Sequence, residues 1–168
     1  KHLFITVLIL GAIYGGSFFF FFFSGADNDV IFEWGISRNA VIERLNYQNI
    51  SHSIKDNAGS EVVAEIYNST IDFPFRKELL KDKKLIISYY FNSAENLRSI
   101  SIVIPQIKRV EIYPVGTKIG EHYTFDPTNS NPDEFAYISN DTKIWFIVRN
   151  EVGDNVDAVI TLTSRTIR

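Results

Sequence analysis

The chain has 168 residues, of which 45% are apolar and 22% are charged, and its formal net charge is −3. Its basic residues are scattered, and this mild acidity argues against nucleic-acid binding, which requires clustered Lys and Arg. The sequence contains no cysteine, which excludes disulfides, thiolate nucleophiles and cysteine-ligated metal centres. The length predicts one domain of ordinary size together with a short anchor.

Residues 1–26 are predicted to form a hydrophobic membrane or assembly helix. The 21 residues from Leu3 to Phe23 carry no charge. As a helix they would be about 31 Å long at ~1.5 Å per residue, which matches the ~30 Å hydrocarbon core of a bilayer. Lys1 precedes this segment, and Asp27 and Asp29 follow it. The positive-inside tendency therefore predicts a single-pass protein with a cytoplasmic N-terminus and an extracytoplasmic C-terminal domain.

A cleaved signal peptide is the first alternative for this segment. The tripeptide Ser24-Gly25-Ala26 has the small residues that are typical of a cleavage site. The apolar core of a signal peptide is usually only ~7–15 residues long, however. The greater length of this segment favours a helix that is retained.

Small residues in the first half of the apolar segment predict contact with another helix. Gly11 and Gly15 are spaced four residues apart, and Ala12 and Gly16 repeat this spacing on the neighbouring face. Small residues at this spacing allow two helix backbones to approach closely within a membrane. The run Phe18–Phe23 instead suits contact with lipid or with a wide apolar groove.

A filament helix is the second alternative, because the chain opens on an apolar segment and contains no methionine. This layout resembles that of type IV pilin-like subunits, whose processed chains begin with an apolar helix. The resemblance implies that residues 3–23 pack in the core of a surface filament. Two features depart from the pilin pattern: Ile5 replaces the usual glutamate, and Phe18–Phe23 replaces an aliphatic run. Because Lys1 is not an initiator methionine, we expect either residues upstream of it or a processed start.

Residues 27–46 are predicted to be a connector that includes a short helix. Ser37 is suited to cap a helix from Arg38 to Asn46, because its hydroxyl can accept from an unpaired backbone N–H. The apolar face of this helix would carry Val41, Ile42 and Leu45.

Residues 47–168 are predicted to form an extracytoplasmic β-domain. Apolar and polar residues alternate in several segments, as is typical of strands with one buried face. These segments are Val62–Tyr67, Leu85–Phe91, Ile100–Ile104, Lys108–Tyr113, Ile144–Val148 and Val156–Leu162. Turn residues between them predict hairpins at residues 56–59, 92–96 and 150–155. Together these patterns predict a mainly β fold, an antiparallel immunoglobulin-like β-sandwich, with a small barrel as the alternative.

Two histidines are weak candidates for a copper or zinc site. His52 lies at an alternating strand position, and His122 lies beside Glu121 and near Asp126. Imidazole and carboxylate ligands together suit these metals. No spacing typical of metal ligands, such as HxH or HExxH, is present, so the sequence predicts no metal and no cofactor.

The loop Asp126–Glu134 is rich in oxygen ligands but does not match a calcium loop. An EF-hand starting at Asp126 would require glycine at the position of Asn131 and glutamate at the position of Tyr137. We interpret it as a solvated loop, and as the one best suited to move or to contact a partner.

Three asparagines lie in N-x-[ST] motifs and are candidate N-glycosylation sites. They are Asn49, Asn68 and Asn140. Glycosylation at these sites requires that the domain faces outside in a glycosylating organism.

No motif for a nucleophile elbow, a P-loop or a dinucleotide site is present. The sequence therefore predicts a non-enzymatic structural or accessory subunit, anchored by a single membrane helix. Its β-domain would dock partner subunits of a larger membrane or cell-surface assembly, with membrane lipid and further copies of the chain as additional partners. The alternatives are a pilin-like filament subunit and, of a different class, a membrane-tethered copper or zinc protein.

Overall fold

The computed structural model describes residues 33–55, 61–67, 82–131 and 134–167. The described chain is mainly β, as predicted, and its eight strands form one antiparallel sheet in the order β1-β2-β3-β4-β8-β7-β6-β5. The strands are β1 (Ser51–Lys55), β2 (Glu61–Tyr67), β3 (Lys84–Phe91), β4 (Leu97–Lys108), β5 (Thr124–Phe125), β6 (Glu134–Ile138), β7 (Thr142–Val152) and β8 (Asn155–Ser164). Two α-helices are described, α1 (Arg38–Tyr47) and α2 (Ile112–Gly120).

Helix α1 begins where the sequence predicts it. The Ser37 side chain accepts from the backbone N–H of Ala40 at 3.3 Å, so it serves as the N-cap. Val41 and Leu45 are completely buried, and they lie one turn apart on the face that meets the sheet.

The segment that leads into α1 is tied to the sheet. The indole N–H of Trp34 donates to the Thr142 hydroxyl at 3.0 Å. The backbone N–H of Gly35 donates to the carbonyl of Leu97, and the N–H of Leu97 donates to the carbonyl of Ile36. The domain is therefore held firmly at the point where the chain enters it.

The predicted strand Lys108–Tyr113 is wrong. Strand β4 ends at Lys108, whose backbone N–H donates to the Glu111 carboxylate at 2.8 Å. This contact closes a 3₁₀ turn over Arg109–Glu111, and α2 follows directly from it. Its buried residues recur at helical spacing, and they are Ile112, Val115 and Ile119.

The predicted alternation is confirmed in β3 and β8, where every second residue is buried, and in β4 from Ile100 to Ile104. A bulge interrupts β4 between Ile104 and Ile107, where Gln106 has a φ of +52°. Pro105 lies within this bulge, where the missing N–H does not break the ladder.

The hairpin between β7 and β8 turns at Gly153, whose φ is +60°. Glycine at the first position of a two-residue turn supplies the positive φ that this connection requires.

The two-sheet, immunoglobulin-like arrangement is also wrong, because all eight described strands belong to one sheet. The inward side chains of this sheet share one hydrophobic cluster with Val41 and Leu45 of α1 and Val115 and Ile119 of α2. Alternation shows that a strand has one buried face, but not whether a second sheet or a helix covers that face. The predicted strand Lys108–Tyr113 overlaps the start of α2, and no helix over Ile112–Gly120 was predicted from the sequence, so one helix that packs on the sheet was not predicted.

Within the described residues, the sheet consists of two halves with the same order of elements, one α-helix followed by four strands. Ser51 pairs with Glu65 between β1 and β2, and Thr124 pairs with Ile138 between β5 and β6, so both partners lie 73 residues further along. The halves meet antiparallel at β4 and β8, and the pair Ser101–Thr161 lies at the centre of this junction. The pairing registers of the two halves are therefore symmetric about this pair.

Several predictions fall on residues outside the described ranges. These are the apolar segment Leu3–Phe23, the helix-contact residues Gly11, Ala12, Gly15 and Gly16, the hairpin turn at residues 56–59, and the sequon at Asn68. Neither of the described helices has the length and hydropathy needed to cross a bilayer.

Candidate binding site

A cavity of about 400 Å³ lies between α2 and the strands β5 to β7. This volume falls within the range of ~300–1,000 Å³ that is usual for ligand pockets. The lining residues are Arg109, Ile112, Tyr113, Gly116, Thr117, Gly120, Phe125, Phe135, Tyr137, Phe146 and Val148.

Two glycines shape the helix side of the cavity. Gly116 and Gly120 lie about one turn apart on α2, and a Cβ at Gly116 would lie only 3.2 Å from the Tyr137 hydroxyl. A Cβ at Gly120 would meet the Tyr137 ring at an ordinary 3.9 Å. The Tyr137 hydroxyl donates to the Gly116 carbonyl at 3.2 Å. The small residues therefore allow the tyrosine to lie beneath the helix.

Aromatic rings form the sheet side of the cavity. The rings of Phe125 and Tyr137 meet edge to face, with their centroids 5.6 Å apart. The rings of Phe135 and Phe146 are tilted, with their centroids 5.9 Å apart. Burial raises the pKa of Tyr137, so its hydroxyl is neutral and remains a donor at physiological pH. The cavity wall is thus largely apolar and rich in ring faces and edges.

The rim of the cavity combines exposed rings with one positive charge. Tyr113 is 79% exposed and Phe125 is 47% exposed. Arg109 is also exposed, and its backbone N–H donates to the carbonyl of Asp154 at 2.8 Å. Among the described lining residues, Arg109 is the only one charged at neutral pH.

The described lining offers mainly aromatic and aliphatic contacts. It includes no histidine, carboxylate or cysteine, which are the usual general bases and nucleophiles. The Thr117 hydroxyl donates to the Tyr113 carbonyl at 2.9 Å, so it is engaged within the helix. The arrangement suits an apolar group that enters past Tyr113 and Phe125.

The structure places the two candidate metal-ligand histidines far apart in the sheet order. His52 lies in β1, at one edge of the sheet, and His122 follows α2 and precedes β5, which forms the other edge. Seven strand spacings separate these edges in the sheet order, about 34 Å along the sheet at ~4.8 Å per strand. Within the described ranges, no group of three or more potential metal ligands is present.

The loop from Asp126 is organised by its own side chains. The Asp126 carboxylate accepts from the N–H of Thr128 at 3.1 Å and from the side-chain amide of Asn129 at 2.8 Å. The Thr128 hydroxyl also donates to this carboxylate, and the hydrogen bonds from the Thr128 hydroxyl and the Asn129 amide are the main causes that lower the pKa of Asp126. The Ser130 hydroxyl donates to the Asp126 carbonyl and accepts from Ala136 N–H. The carboxylate is thus used to close a 3₁₀ turn over Pro127–Asn129.

The two described sequon asparagines are exposed. Asn49 follows α1 with a φ of +56°, and Asn140 lies in the turn between β6 and β7. Glycosylation at either one stays a prediction.

The cavity and its residues were not predicted from the sequence. One sequence feature could have indicated the cavity: Gly116 and Gly120 are spaced four residues apart beside apolar residues. That spacing has meaning only on a helix, and this segment was not interpreted as one. The pairing of the strands in the sheet is what brings the rings of Phe125, Phe135 and Tyr137 close to α2, and local sequence patterns do not show this pairing.

Comparison of the chain with the profiles of protein families, with curated proteins and with solved structures gives no match.

Proposed function

We propose that this chain is a non-enzymatic accessory subunit that docks a partner through the cavity beneath α2. In this proposal Leu3–Phe23 is a single membrane helix, and the β-rich domain lies on the extracytoplasmic side. The uncharged length of that segment supports the anchor. The pairs Gly11/Gly15 and Ala12/Gly16 support contact with a neighbouring helix.

The observation that carries the docking proposal is the aromatic cavity with exposed rings at its rim. Protein interfaces are dominated by a few apolar anchors that fill preformed pockets. Burying one large apolar side chain contributes about 1.5–3 kcal/mol. The cavity has room for such an anchor, and Tyr113 and Phe125 extend the apolar surface around it.

The chemistry of the lining also favours docking over catalysis. The described lining residues offer ring faces, aliphatic groups and one guanidinium. General acid–base catalysis would need a titratable group with a pKa near neutrality. The tyrosine within the cavity has a pKa raised further from that range.

Photo-crosslinking in the native membrane tests this proposal. A photoreactive residue is placed at Tyr113 in the full chain, and the matched control carries it at Tyr47. Tyr47 is 89% exposed on α1, in the other half of the sheet. We expect a discrete adduct with a membrane-associated protein from position 113 and not from position 47.

A second variant links the adduct to the cavity. Gly120→Leu places an aliphatic side chain at the rim without a backbone clash, because the added Cβ meets Tyr137 at 3.9 Å. We expect this change to abolish the adduct from position 113. Equal adducts from both positions, unaffected by Gly120→Leu, would contradict the proposal. An adduct between two copies of this chain would instead favour the filament alternative.

A further inference from the structure

We infer that the group received by the cavity is an aromatic residue of a partner polypeptide with a carboxylate beside it. This inference rests on the proposed docking function and specifies the chemistry of the partner. It is carried by the ring-lined wall and by Arg109, the single residue charged at neutral pH among the described lining residues.

The wall of the cavity favours an aromatic ring over an aliphatic chain. Phe125, Phe135, Tyr137 and Phe146 all line it, and their rings already meet in edge-to-face and tilted arrangements. A further ring can continue these arrangements, which stabilise aromatic pairs beyond the area that they bury. Tyr113, exposed at the rim, adds a fifth ring.

The charge at the rim favours a carboxylate. Arg109 is the only lining residue charged at neutral pH among those described, and no carboxylate accompanies it in the lining. Arg109 also has an interaction within the chain. A guanidinium carries five N–H donors in a planar fork, so a partner carboxylate is an additional acceptor.

The position of Arg109 sets the geometry of the partner group. Arg109 opens the 3₁₀ turn between β4 and α2, and its backbone N–H is held by the Asp154 carbonyl at 2.8 Å. The guanidinium therefore extends from a fixed backbone beside the opening. A ring that fills the cavity would present a carboxylate from its own residue or the next one to this side chain.

Two fluorinated fragments test the charge inference on the full chain in lipid nanodiscs. The fragments are 3-(4-fluorophenyl)propionate and the corresponding propanamide, which share size and ring but differ in charge. Fluorine NMR titration gives the Kd of each, with empty nanodiscs as the reference. We expect the carboxylate to bind about tenfold more tightly than the amide, as for a charge-assisted hydrogen bond.

Variants separate the guanidinium from the cavity. Arg109→Gln should equalise the two fragments, whereas Arg109→Lys should keep part of the preference because the positive charge remains. Gly120→Leu should abolish binding of both fragments, because it fills the rim. Lys118→Gln removes a charge from α2 at a residue that does not line the cavity, and it should leave the preference unchanged.

Capped peptides test whether the source is a polypeptide. A peptide with an internal Phe-Asp pair should bind more tightly than the free carboxylate fragment, and its Phe-Asn counterpart should bind about tenfold more weakly than the Phe-Asp peptide. Binding of the free carboxylate without binding of the Phe-Asp peptide would overturn the polypeptide source.

The outcomes also distinguish this inference from the proposed function. Equal binding of carboxylate and amide, unchanged by Arg109→Gln, would overturn the charge inference and leave the docking cavity intact. Absence of binding by every fragment and peptide, together with a position-113 adduct that Gly120→Leu does not affect, would overturn both.

Discussion

The two halves of the sheet have the same order and pairing of described elements. They differ in whether the helix or the facing strand carries the larger side chain. In the second half, α2 carries Gly116 and the facing strand carries Tyr137. The corresponding positions in the first half, 74 and 73 residues earlier, are Ile42 on α1 and Ala64 on β2. Ile42 packs against the core, whereas Gly116 leaves room beneath its helix. The same arrangement of helix and strands can thus be closely packed in one half and contain a cavity in the other.

The two helices also differ in the contacts that the structure describes on their outer faces. Helix α1 carries ion pairs from Arg38 to Glu95 at 2.7 Å and from Arg44 to Glu33 at 2.6 Å. Helix α2 presents Tyr113, which is 79% exposed, beside an aromatic cavity. Tyr47 on α1 is also exposed, at 89%, so the two halves differ in the described ion pairs of α1 and in the aromatic cavity beside α2.

The largest expected effect comes from truncating equivalent core rings. Tyr89 and Phe146 occupy corresponding inward positions on β3 and β7, and they are 0% and 1% exposed. Changing a buried ring to alanine costs about 3–5 kcal/mol of unfolding free energy, with the cost depending on the void that is left. Tyr89→Ala should lie near the upper end of this range, and Phe146→Ala near the lower end, because Phe146 already borders a cavity. Chemical denaturation of both variants measures this, and a larger loss for Phe146→Ala would contradict the comparison.

A smaller effect is expected at the hydroxyl beneath α2. Tyr137→Phe removes the hydrogen bond to the Gly116 carbonyl and should cost about 0.5–1.5 kcal/mol. The same change alters the pH dependence of stability. Burial raises the pKa of Tyr137 in the folded state, so its contribution is complete below the unfolded pKa of 10.0 and is lost as the pH rises through the folded pKa. Thermal unfolding at successive pH values above 9 should show a shallower alkaline loss for Tyr137→Phe than for the parent.

Tyr90 and Tyr123 also have raised pKa values, mainly because of burial, so alkaline destabilisation should persist in part after this change. An alkaline transition identical to that of the parent would show that Tyr137 is not protected from ionisation beneath the helix.

The smallest expected effect is on a surface ion pair of the first half. Both partners of the Arg44–Glu33 pair are about half exposed, at 49% and 58%. Such surface pairs contribute about 0.2–1 kcal/mol, and salt screens them. Arg44→Gln should therefore change the unfolding free energy by less than about 1 kcal/mol, with a smaller difference at high salt. A loss above 2 kcal/mol would show that this surface is more tightly organised than its exposure indicates.

Local patterns in the sequence predicted much of the framework. The alternation in Leu85–Phe91 and Val156–Leu162 and the cap at Ser37 depend on neighbouring residues alone, and the structure confirms them. Lys108–Tyr113 was mistaken for a strand because its short apolar pattern fits period two. Only the longer spacing from Ile112 to Ile119 shows a helix.

The repeated halves and the cavity could not be predicted in this way. The connection between β2 and β3 runs from Tyr67 to Lys84, whereas that between β6 and β7 runs only from Ile138 to Thr142. The repeat therefore has no constant period in the sequence, and corresponding positions such as Ala64 and Tyr137 differ in size. The cavity depends on Gly116 lying over Tyr137, a contact between residues that only the packing of α2 on β6 brings together.

The most direct test of the docking role compares one substitution in each half. Gly120 on α2 and Asn46 on α1 correspond, and both are exposed. Gly120→Leu and Asn46→Leu add similar side chains to the two helices of the full chain. The size of the complex extracted from the native membrane is then measured for each variant. We expect Gly120→Leu to release the chain from its partner while Asn46→Leu leaves the complex intact. Complexes of equal size in both variants would contradict a docking role for the cavity.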